Sequence, residues 1–297
     1  MLTEAYDTEK YALIYRLFVM DFLKVNYQDA QASTLFTETL HQSGFAVLTN
    51  HSIAADTIFE TYQEWAHFFN TPDKHLYTFE PNVQSGYFPF RSEQAKGCDR
   101  PDLKEFYHLY GWSQLPEGMS DRTWQLFHLL VELATELLGW IEAASPPILQ
   151  GSEQVVPLHQ MIADSQATVL RILHYPPLTF APEGSVRAAA HEDINLITLL
   201  PAATATGLEI CDRQGNWQAV PCHAGDLIVN IGDMLQLASQ GYYPSTTHRV
   251  VNPVGEAALK SRYSMPLFLH PRSDVILSKG ITAKDYLQQR LREIGLL

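Results

Sequence analysis

Two segments in the first half of the chain carry apolar side chains at the spacing of an amphipathic helix. The first is predicted to begin near Ala55, and the second to follow a capping residue at Ser120. Spacings of three and four residues place the apolar side chains of each segment on one face. These faces consist of Ile58, Tyr62, Trp65, Ala66 and Phe69 in the first segment and Trp124, Phe127, Leu130, Leu133, Leu137, Leu138 and Ile141 in the second. Ahead of both, the run from Gly44 to Leu48 is typical of a buried strand.

From about Ala167 the pattern changes to short runs rich in Val, Ile, Leu and Tyr, separated by Pro, Gly, Asp and Asn. Runs of this length and spacing predict β-strands. They cover Val169 to Tyr175, Ile197 to Leu200, Leu208 to Cys211, Trp217 to Val220, Leu227 to Ile231, His248 to Val251 and Arg262 to Leu269. Asp212 to Asn216 is predicted to join two of them as a hairpin turn. Many short strands without alternating helices favour a sandwich or barrel.

The last segment returns to a helical pattern. Thr282 and Asp285 form a helix start signal, and Leu287, Leu291 and Ile294 follow as apolar positions of a helix that we expect to cover the barrel. The chain shows no linker or internal repeat, so we predict one compact unit. An N-terminal helical and mixed region, residues 1–160, would pack on a β core, residues 161–297. The predicted fold class is mainly β with flanking α.

Composition narrows the class of protein and its partners. A chain of 297 residues with 46% hydrophobic residues can bury a large core, which excludes a disordered or fibrous protein. The 20 Lys and Arg residues against 33 Asp and Glu residues give a formal charge of −13. This charge disfavours nucleic acid and anionic membrane surfaces as partners. Nothing in the sequence specifies an oligomeric state.

The cysteines and the amino terminus bear on the compartment. Cys98, Cys211 and Cys222 form an odd set without a CxxC pair, which favours free thiols in a reducing environment. The first ten residues lack the basic flank and apolar stretch of a signal peptide. No run reaches the roughly 18 apolar residues of a membrane span. We therefore expect a soluble, cytoplasmic protein.

The candidate chemistry lies in the segment from Ala188 to Asp193. In an extended strand, His191 and Asp193 point to the same side, so an imidazole and a carboxylate can bind one metal ion. His248 supplies a second imidazole 55 residues after Asp193. Two imidazoles and one carboxylate suit non-haem Fe(II), because three protein ligands leave coordination positions open. The ligand types alone also leave zinc possible, although no HExxH motif occurs.

A second pair of polar residues follows 14 positions after His248. Arg262 and Ser264 alternate on a predicted strand, so their guanidinium and hydroxyl groups face one way. Such a pair can bind a carboxylate through charge-assisted hydrogen bonds. The sequence therefore predicts an anion clamp near the metal ligands.

The order His191-x-Asp193, His248, Arg262-x-Ser264 resembles the iron- and 2-oxoglutarate-dependent dioxygenases, specifically the isopenicillin N synthase-like branch. Most of residues 165–275 take part in the resemblance. Supporting stretches are Leu170 to Pro177, Asn230 to Gln236 and Ser245 to Val251, with weaker similarity in Gly44 to His51 and Asp102 to Phe106.

This resemblance implies a fold, cofactors and a reaction. The fold would be a double-stranded β-helix, or jelly roll, with Fe(II) on the two histidines and the aspartate. Arg262, Ser264 and Tyr175 would hold the distal carboxylate of 2-oxoglutarate. With O₂, 2-oxoglutarate would be decarboxylated to succinate while a small-molecule C–H bond is oxidised, by default hydroxylated. Many relatives carry Asn two positions before the matching Tyr, where this chain has Leu173.

Further side chains are expected near the reacting substrate. Tyr87 and Arg91 lie in an aromatic loop that ends in a cation, and Phe268 and His270 follow the anion clamp at alternate positions. We predict that these four line the acceptor pocket. His174 alternates with Tyr175 and is expected to face away from the site, in a structural role.

Two other functions fit the same residues. An iron oxidase of the same branch would use the Arg-Ser pair for its own substrate and need no 2-oxoglutarate, and Leu173 is compatible with it. A non-catalytic metal-binding barrel would bind a ligand without consuming O₂.

Overall fold

The structure is a computed structural model that describes residues 24–94, 100–146, 156–178, 180–181 and 183–293. Cys98 and Ile294, two of the residues discussed above, lie outside these ranges. The described part has six α-helices: α1 (Ala32–Ser43), α2 (Ala55–Phe69), α3 (Arg122–Ala144), α4 (Leu158–Met161), α5 (Asp233–Ala238) and α6 (Ala283–Glu293). Short 3₁₀ helices span Pro72–Tyr77 and Gly255–Leu259.

Fifteen strands are present in the described residues. In the first half they are β1 (Lys24–Asn26), β2 (Phe45–Thr49), β3 (Gly86–Phe88) and β4 (Glu105–Tyr110). The central strands are β5 (Val169–Tyr175), β6 (Ala188–His191), β7 (Ile197–Pro201), β8 (Leu208–Cys211), β9 (Trp217–Ala219) and β10 (Leu227–Ile231). The last are β11 (His248–Val250), β12 (Arg262–Ser264), β13 (Leu267–Leu269), β14 (Ile276–Ser278) and β15 (Ile281–Thr282).

Most strands form two facing sheets. The nine-stranded major sheet has the order β1-β2-β10-β7-β13-β5-β4-β3, and β12 pairs with β5 beside β13. The four-stranded minor sheet has the order β6-β11-β8-β9. Strands β1 to β4 of the major sheet come from the first 160 residues, so this sheet extends across the predicted boundary between the two regions.

The two faces of the major sheet support separate apolar clusters. On β5, Leu170 and Ile172 belong to a large cluster that includes the apolar faces of α1, α2 and α3. The alternate residues Leu173 and Tyr175 belong to a smaller cluster with side chains of the minor sheet, such as Ile210. Because alternate residues of a strand face opposite sides, the smaller cluster fills the space between the two sheets.

Several elements agree with the sequence pattern. Helix α2 begins at Ala55, and β5 and β10 have the predicted bounds. At the start of α6, the Asp285 amide donates to the Thr282 hydroxyl at 3.1 Å, as the start signal predicts. The predicted cap of α3 differs: Asp121, not Ser120, is the residue that precedes the helix, and Ser120 accepts a hydrogen bond from the Arg122 amide at 3.3 Å from one position further back.

Two strand predictions differ from the structure. Gly44 is not the first residue of a strand: it ends α1 with a φ of 71°, and its amide donates to the Leu40 carbonyl. The run predicted from Arg262 to Leu269 is two strands, β12 and β13. Proline has no amide hydrogen for a ladder, and the chain divides at Pro266, whose carbonyl accepts from the Arg171 amide at 2.9 Å. Among the described helices, none has the length and apolar character needed to cross a bilayer.

Candidate metal centre and carboxylate site

Three predicted ligands meet at one end of the space between the sheets. His191 is the last residue of β6, and its Cα is paired across the ladder with that of His248, the first residue of β11. Asp193 follows two residues after β6. Its Oδ1 lies 3.8 Å from His191 Nε2 and 3.6 Å from His248 Nε2. One ligand atom from each residue lies within 4.8 Å of the other two, which suits a shared metal ion.

Hydrogen bonds turn the free ligand atoms toward one another. His191 Nδ1 lies 2.7 Å from the Ala189 carbonyl, and His248 Nδ1 lies 3.1 Å from the Thr246 carbonyl. A carbonyl accepts only, so both Nδ1 atoms carry hydrogen, and in a neutral imidazole this tautomer leaves the lone pair on Nε2. This arrangement of each ring by a backbone acceptor is common around metal ligands.

The carboxylate of Asp193 is oriented in a similar way. Its Oδ2 accepts hydrogen bonds from the Thr198 hydroxyl at 2.6 Å and from Asn230 Nδ2 at 2.8 Å. Asn195 donates in turn to Thr198 at 2.8 Å. A Cβ on Gly232 would lie 2.0 Å from Asn195 Oδ1, so glycine is needed for the backbone at residue 232 to pass this close to Asn195. Oδ1 is thereby left directed at the two imidazoles.

Protonation states also suit a metal site. Burial, followed by the neighbouring imidazole of His248, lowers the pKa of His191 to about 4, so this ring is neutral at pH 7. Burial alone would raise the pKa of Asp193. The imidazoles of His248 and His191 and the hydrogen bond from Thr198 outweigh it and lower that pKa, so the carboxylate is ionised.

The predicted carboxylate clamp lies on the major sheet. Arg262 pairs with Tyr175, and Ser264 with Leu173, so these side chains share the face toward the minor sheet. The guanidinium of Arg262 lies 5.0 Å from the centre of the Tyr175 ring, and its Nε donates to the Ala205 carbonyl at 2.9 Å. Its Nη1 is buried and has no hydrogen-bond partner among the residues that the structure describes. An unpaired buried guanidinium nitrogen fits a ligand carboxylate.

Two of the four predicted substrate residues lie near the metal ligands. Phe268 is paired on the ladder with Thr198, the residue that binds Asp193. His270 is two residues further on. Burial lowers the pKa of His270. Two charged groups near the ring also affect this pKa: Asp193 raises it and Arg171 lowers it.

The other two lie elsewhere. Tyr87 is buried in the cluster on the helical side of the major sheet, where its ring contacts Phe68 and Phe69. Arg91 is exposed and has a φ of 66°. The structure therefore does not bring Tyr87 and Arg91 to the metal ligands.

A different cation, Arg171, lies beside the predicted pocket residue Phe268, and its Nη1 forms an ion pair with Glu93 at 3.2 Å. Arg171 of β5 lies over the rings of Phe106 at 4.6 Å and Phe268 at 5.3 Å. Its Nε donates to His108 Nε2 at 2.7 Å. Burial, followed by the charge of Arg171, lowers the pKa of His108 to about 3, so this ring is neutral. Arg171 and Tyr175 are four residues apart on β5, so side-chain alternation could have predicted that Arg171 faces the same side as Tyr175.

Comparisons with known proteins agree with this geometry. A model of the 2OG-Fe(II) oxygenase superfamily matches residues 166–271, and a model of the non-haem dioxygenase in morphine synthesis N-terminal region matches residues 19–127. A 2-oxoglutarate-Fe(II) type oxidoreductase of Aspergillus fumigatus is 25% identical over 290 residues, covering 87% of this chain and 83% of its own.

Two bacterial crystal structures are similar over nearly the whole chain. A Shewanella oneidensis protein assigned as an oxygenase is 45% identical, with a TM-score of 0.84, covering 93% of this chain and 99% of its own. A Caulobacter crescentus protein assigned to the 2OG-Fe(II) oxygenase family is 33% identical, with a TM-score of 0.74, covering 92% and 99%. The predicted jelly-roll core with flanking helices is confirmed.

Proposed function

Because this chain belongs to the 2OG-Fe(II) oxygenase superfamily, we propose that His191, Asp193 and His248 bind its Fe(II) ion. The protein is an Fe(II)- and 2-oxoglutarate-dependent dioxygenase that acts on a small molecule. The observation that carries the assignment of ligands is the convergence of two Nε2 atoms and one carboxylate oxygen. The remaining polar atoms of all three side chains are already hydrogen-bonded, so these atoms alone stay free.

The second part of the proposal concerns the co-substrate. Arg262 pairs with the distal carboxylate of 2-oxoglutarate through its unpartnered Nη1, and Ser264 and Tyr175 add their hydroxyl groups on the same face. Leu173 occupies the position of an amide in many relatives and packs in the apolar cluster between the sheets. This cluster keeps water from the side of the site that lies away from the metal ligands.

Iron, O₂ and 2-oxoglutarate together supply the oxidising chemistry, in which 2-oxoglutarate yields succinate and CO₂ while a substrate C–H bond is hydroxylated. The chain's own residues bind and orient. Asp193 and the two histidines would hold the metal ion, and Arg262 would fix the far end of the co-substrate. Phe268 and His270 line the space for the small-molecule substrate in this proposal.

Succinate release tests the reaction. Purified protein with Fe(II), O₂ and 2-oxoglutarate should release succinate in proportion to the substrate consumed, and conversion should stop when 2-oxoglutarate is omitted. Conversion at an unchanged rate without 2-oxoglutarate would instead support the iron oxidase. Ligand binding without O₂ consumption would support the non-catalytic barrel.

We also infer that the enzyme works in the cytoplasm and has neither nucleic acid nor membrane as a partner. Two observations support this inference: Cys211 and Cys222 are free thiols, and the formal charge is −13. Fractionation of the source cells should recover the protein with cytoplasmic enzymes, whereas recovery with membranes or in an oxidising compartment would contradict it.

A further inference from the structure

A second buried guanidinium lies beside the proposed co-substrate site. Arg187 immediately precedes β6, four residues before His191, and is 1% exposed. Its guanidinium lies 5.7 Å from the centre of the Tyr175 ring, the same ring that Arg262 approaches to 5.0 Å. The sequence motifs did not identify Arg187, because it belongs to no recognised pattern.

Neither guanidinium has a carboxylate partner among the described residues. Arg187 Nη2 donates to the Lys260 carbonyl at 3.3 Å, and Arg262 Nε donates to the Ala205 carbonyl. Arg187 Nε and Arg262 Nη1 are buried and have no hydrogen-bond partner in the part of the chain that the structure describes. Two neighbouring buried cations with unpaired nitrogens are unfavourable unless an anion joins them.

The two cations are close enough for the charge of Arg262 to affect the protonation of Arg187. Burial, followed by the charge of Arg262, lowers the pKa of Arg187 to about 10. The side chain stays charged at pH 7, yet no described acidic group compensates for it. A bound anion would relieve both the burial and the repulsion.

We propose that Arg187 and Arg262 together bind the distal carboxylate of 2-oxoglutarate, with Arg187 as a second guanidinium of the dicarboxylate site. This inference rests on the proposed function. A carboxylate has two oxygens and can accept hydrogen bonds from both guanidinium groups. Arg187 precedes β6 of the minor sheet, and Arg262 lies on β12 of the major sheet. Because Arg187 immediately precedes the strand that ends in His191, one short stretch of backbone links the carboxylate end of the co-substrate to its metal end.

The test compares two 2-oxo acids by calorimetry on the full chain loaded with Mn(II). Pyruvate has the metal-binding 2-oxo acid group of 2-oxoglutarate but no distal carboxylate. The variants are Arg187→Met, which removes the charge at similar length, and Arg187→Lys, which keeps it without the planar fork. Arg122→Met is the matched control, because Arg122 forms an exposed ion pair with Glu60.

We expect Arg187→Met to weaken 2-oxoglutarate binding by about tenfold or more and pyruvate binding by less than about twofold. Arg187→Lys should weaken 2-oxoglutarate by an intermediate factor, and it also serves as the test if the Met variant does not fold. An unchanged 2-oxoglutarate affinity in the Arg187 variants, or an equal loss of affinity for both acids, would overturn the inference about Arg187 but not the proposed function. Failure of the wild-type protein to bind 2-oxoglutarate would overturn the proposed function as well.

Thermal unfolding gives an independent readout. Without ligand, Arg187→Met should be at least as stable as the wild type, because it removes an uncompensated buried charge. The rise in Tm that 2-oxoglutarate causes should be smaller in this variant. A ligand-free variant that is much less stable, with an undiminished rise in Tm, would show that Arg187 is structural and would refute the inference.

Discussion

Two neighbouring residues of β5, His174 and Tyr175, face opposite sides of the major sheet, and the buried polar groups around them differ in their pairing. On the helical side, the two ring nitrogens of His174 contact Glu105 Oε1 at 2.7 Å and Ser261 Oγ at 2.9 Å. Glu105 also accepts from Lys74 Nζ at 2.9 and 3.0 Å. The predicted structural role of His174 agrees with this saturated network.

On the other side, the groups near Tyr175 keep unused hydrogen-bonding capacity. Within the described ranges, Arg262 and Arg187 each have a buried nitrogen without a hydrogen-bond partner. Buried polar groups in folded proteins are nearly always paired, so exceptions require an explanation. The saturated network around His174 accounts for itself as part of the fold, whereas the two unpaired guanidinium nitrogens near Tyr175 lie where we propose that 2-oxoglutarate binds.

The largest effect should come from removing the carboxylate of the metal site. We expect Asp193→Ala to lower both metal affinity and succinate formation by more than about 100-fold, because even the partners of metal ligands contribute 10- to 100-fold. Metal titration and a succinate assay measure the two quantities. Asp274→Ala, at a carboxylate that is 77% exposed, is the control. Near-normal turnover of Asp193→Ala would contradict the assignment.

A smaller and more selective effect is expected on the unsaturated side of the sheet. Arg262→Met removes one charge-assisted pair, so the KM for 2-oxoglutarate should rise by about tenfold or more. Affinity for the metal should stay unchanged in a parallel titration. A variant with the wild-type dependence on 2-oxoglutarate would show that this guanidinium does not bind the co-substrate.

The orientation of Asp193 can be weakened without removing a ligand. Thr198→Val deletes the hydroxyl that donates to Asp193 Oδ2, and we expect metal affinity to fall by about tenfold. Thr135→Val is the matched control, since the Thr135 hydroxyl donates to the Val131 carbonyl of its own helix, far from the metal ligands in sequence. Equal metal affinity in the two variants would count against the role of Thr198.

The smallest effect on activity is expected on the saturated side. Burial would raise the pKa of Glu105, but hydrogen bonds from His174, Tyr87 and Lys74 outweigh it and lower the pKa below the ordinary 4.5. The carboxylate therefore stabilises the fold above about pH 4.5, and this contribution is lost as the pH falls through the lower, folded-state pKa.

Glu105→Gln should accordingly lower the free energy of unfolding by about 1–3 kcal/mol at pH 7, and the difference should shrink in acid. Denaturant unfolding across pH measures it. Affinity for 2-oxoglutarate should be unchanged. A loss of co-substrate affinity, or a stability difference that persists in acid, would contradict the proposed difference between the two faces of the major sheet.

Local patterns predicted the strands and the ligand set because their signals lie close together in sequence. His191 and Asp193 are two residues apart, and Arg262 and Ser264 alternate on one strand, as the structure has them. The pairing of Asp193 with Asn230 was not predictable, since it depends on which strands become neighbours in the sheet.

The substrate residues were harder to predict. Tyr87 is an aromatic residue, a type that often lines pockets. Alternation of side chains on β3 nevertheless directs it toward the helices. The loop cation Arg91 is exposed, whereas Arg171 lies over two aromatic rings. Burial of Arg187 became apparent only from the structure, because no local pattern marks a cation that loses its solvent on folding.

The most direct measurement is anomalous diffraction at the iron edge, from crystals grown with Fe(II) and 2-oxoglutarate in the absence of O₂. We predict one iron peak within bonding distance of Nε2 of His191, Nε2 of His248 and Oδ1 of Asp193. Iron bound at other residues, or side chains of these three turned away from the peak, would contradict the account.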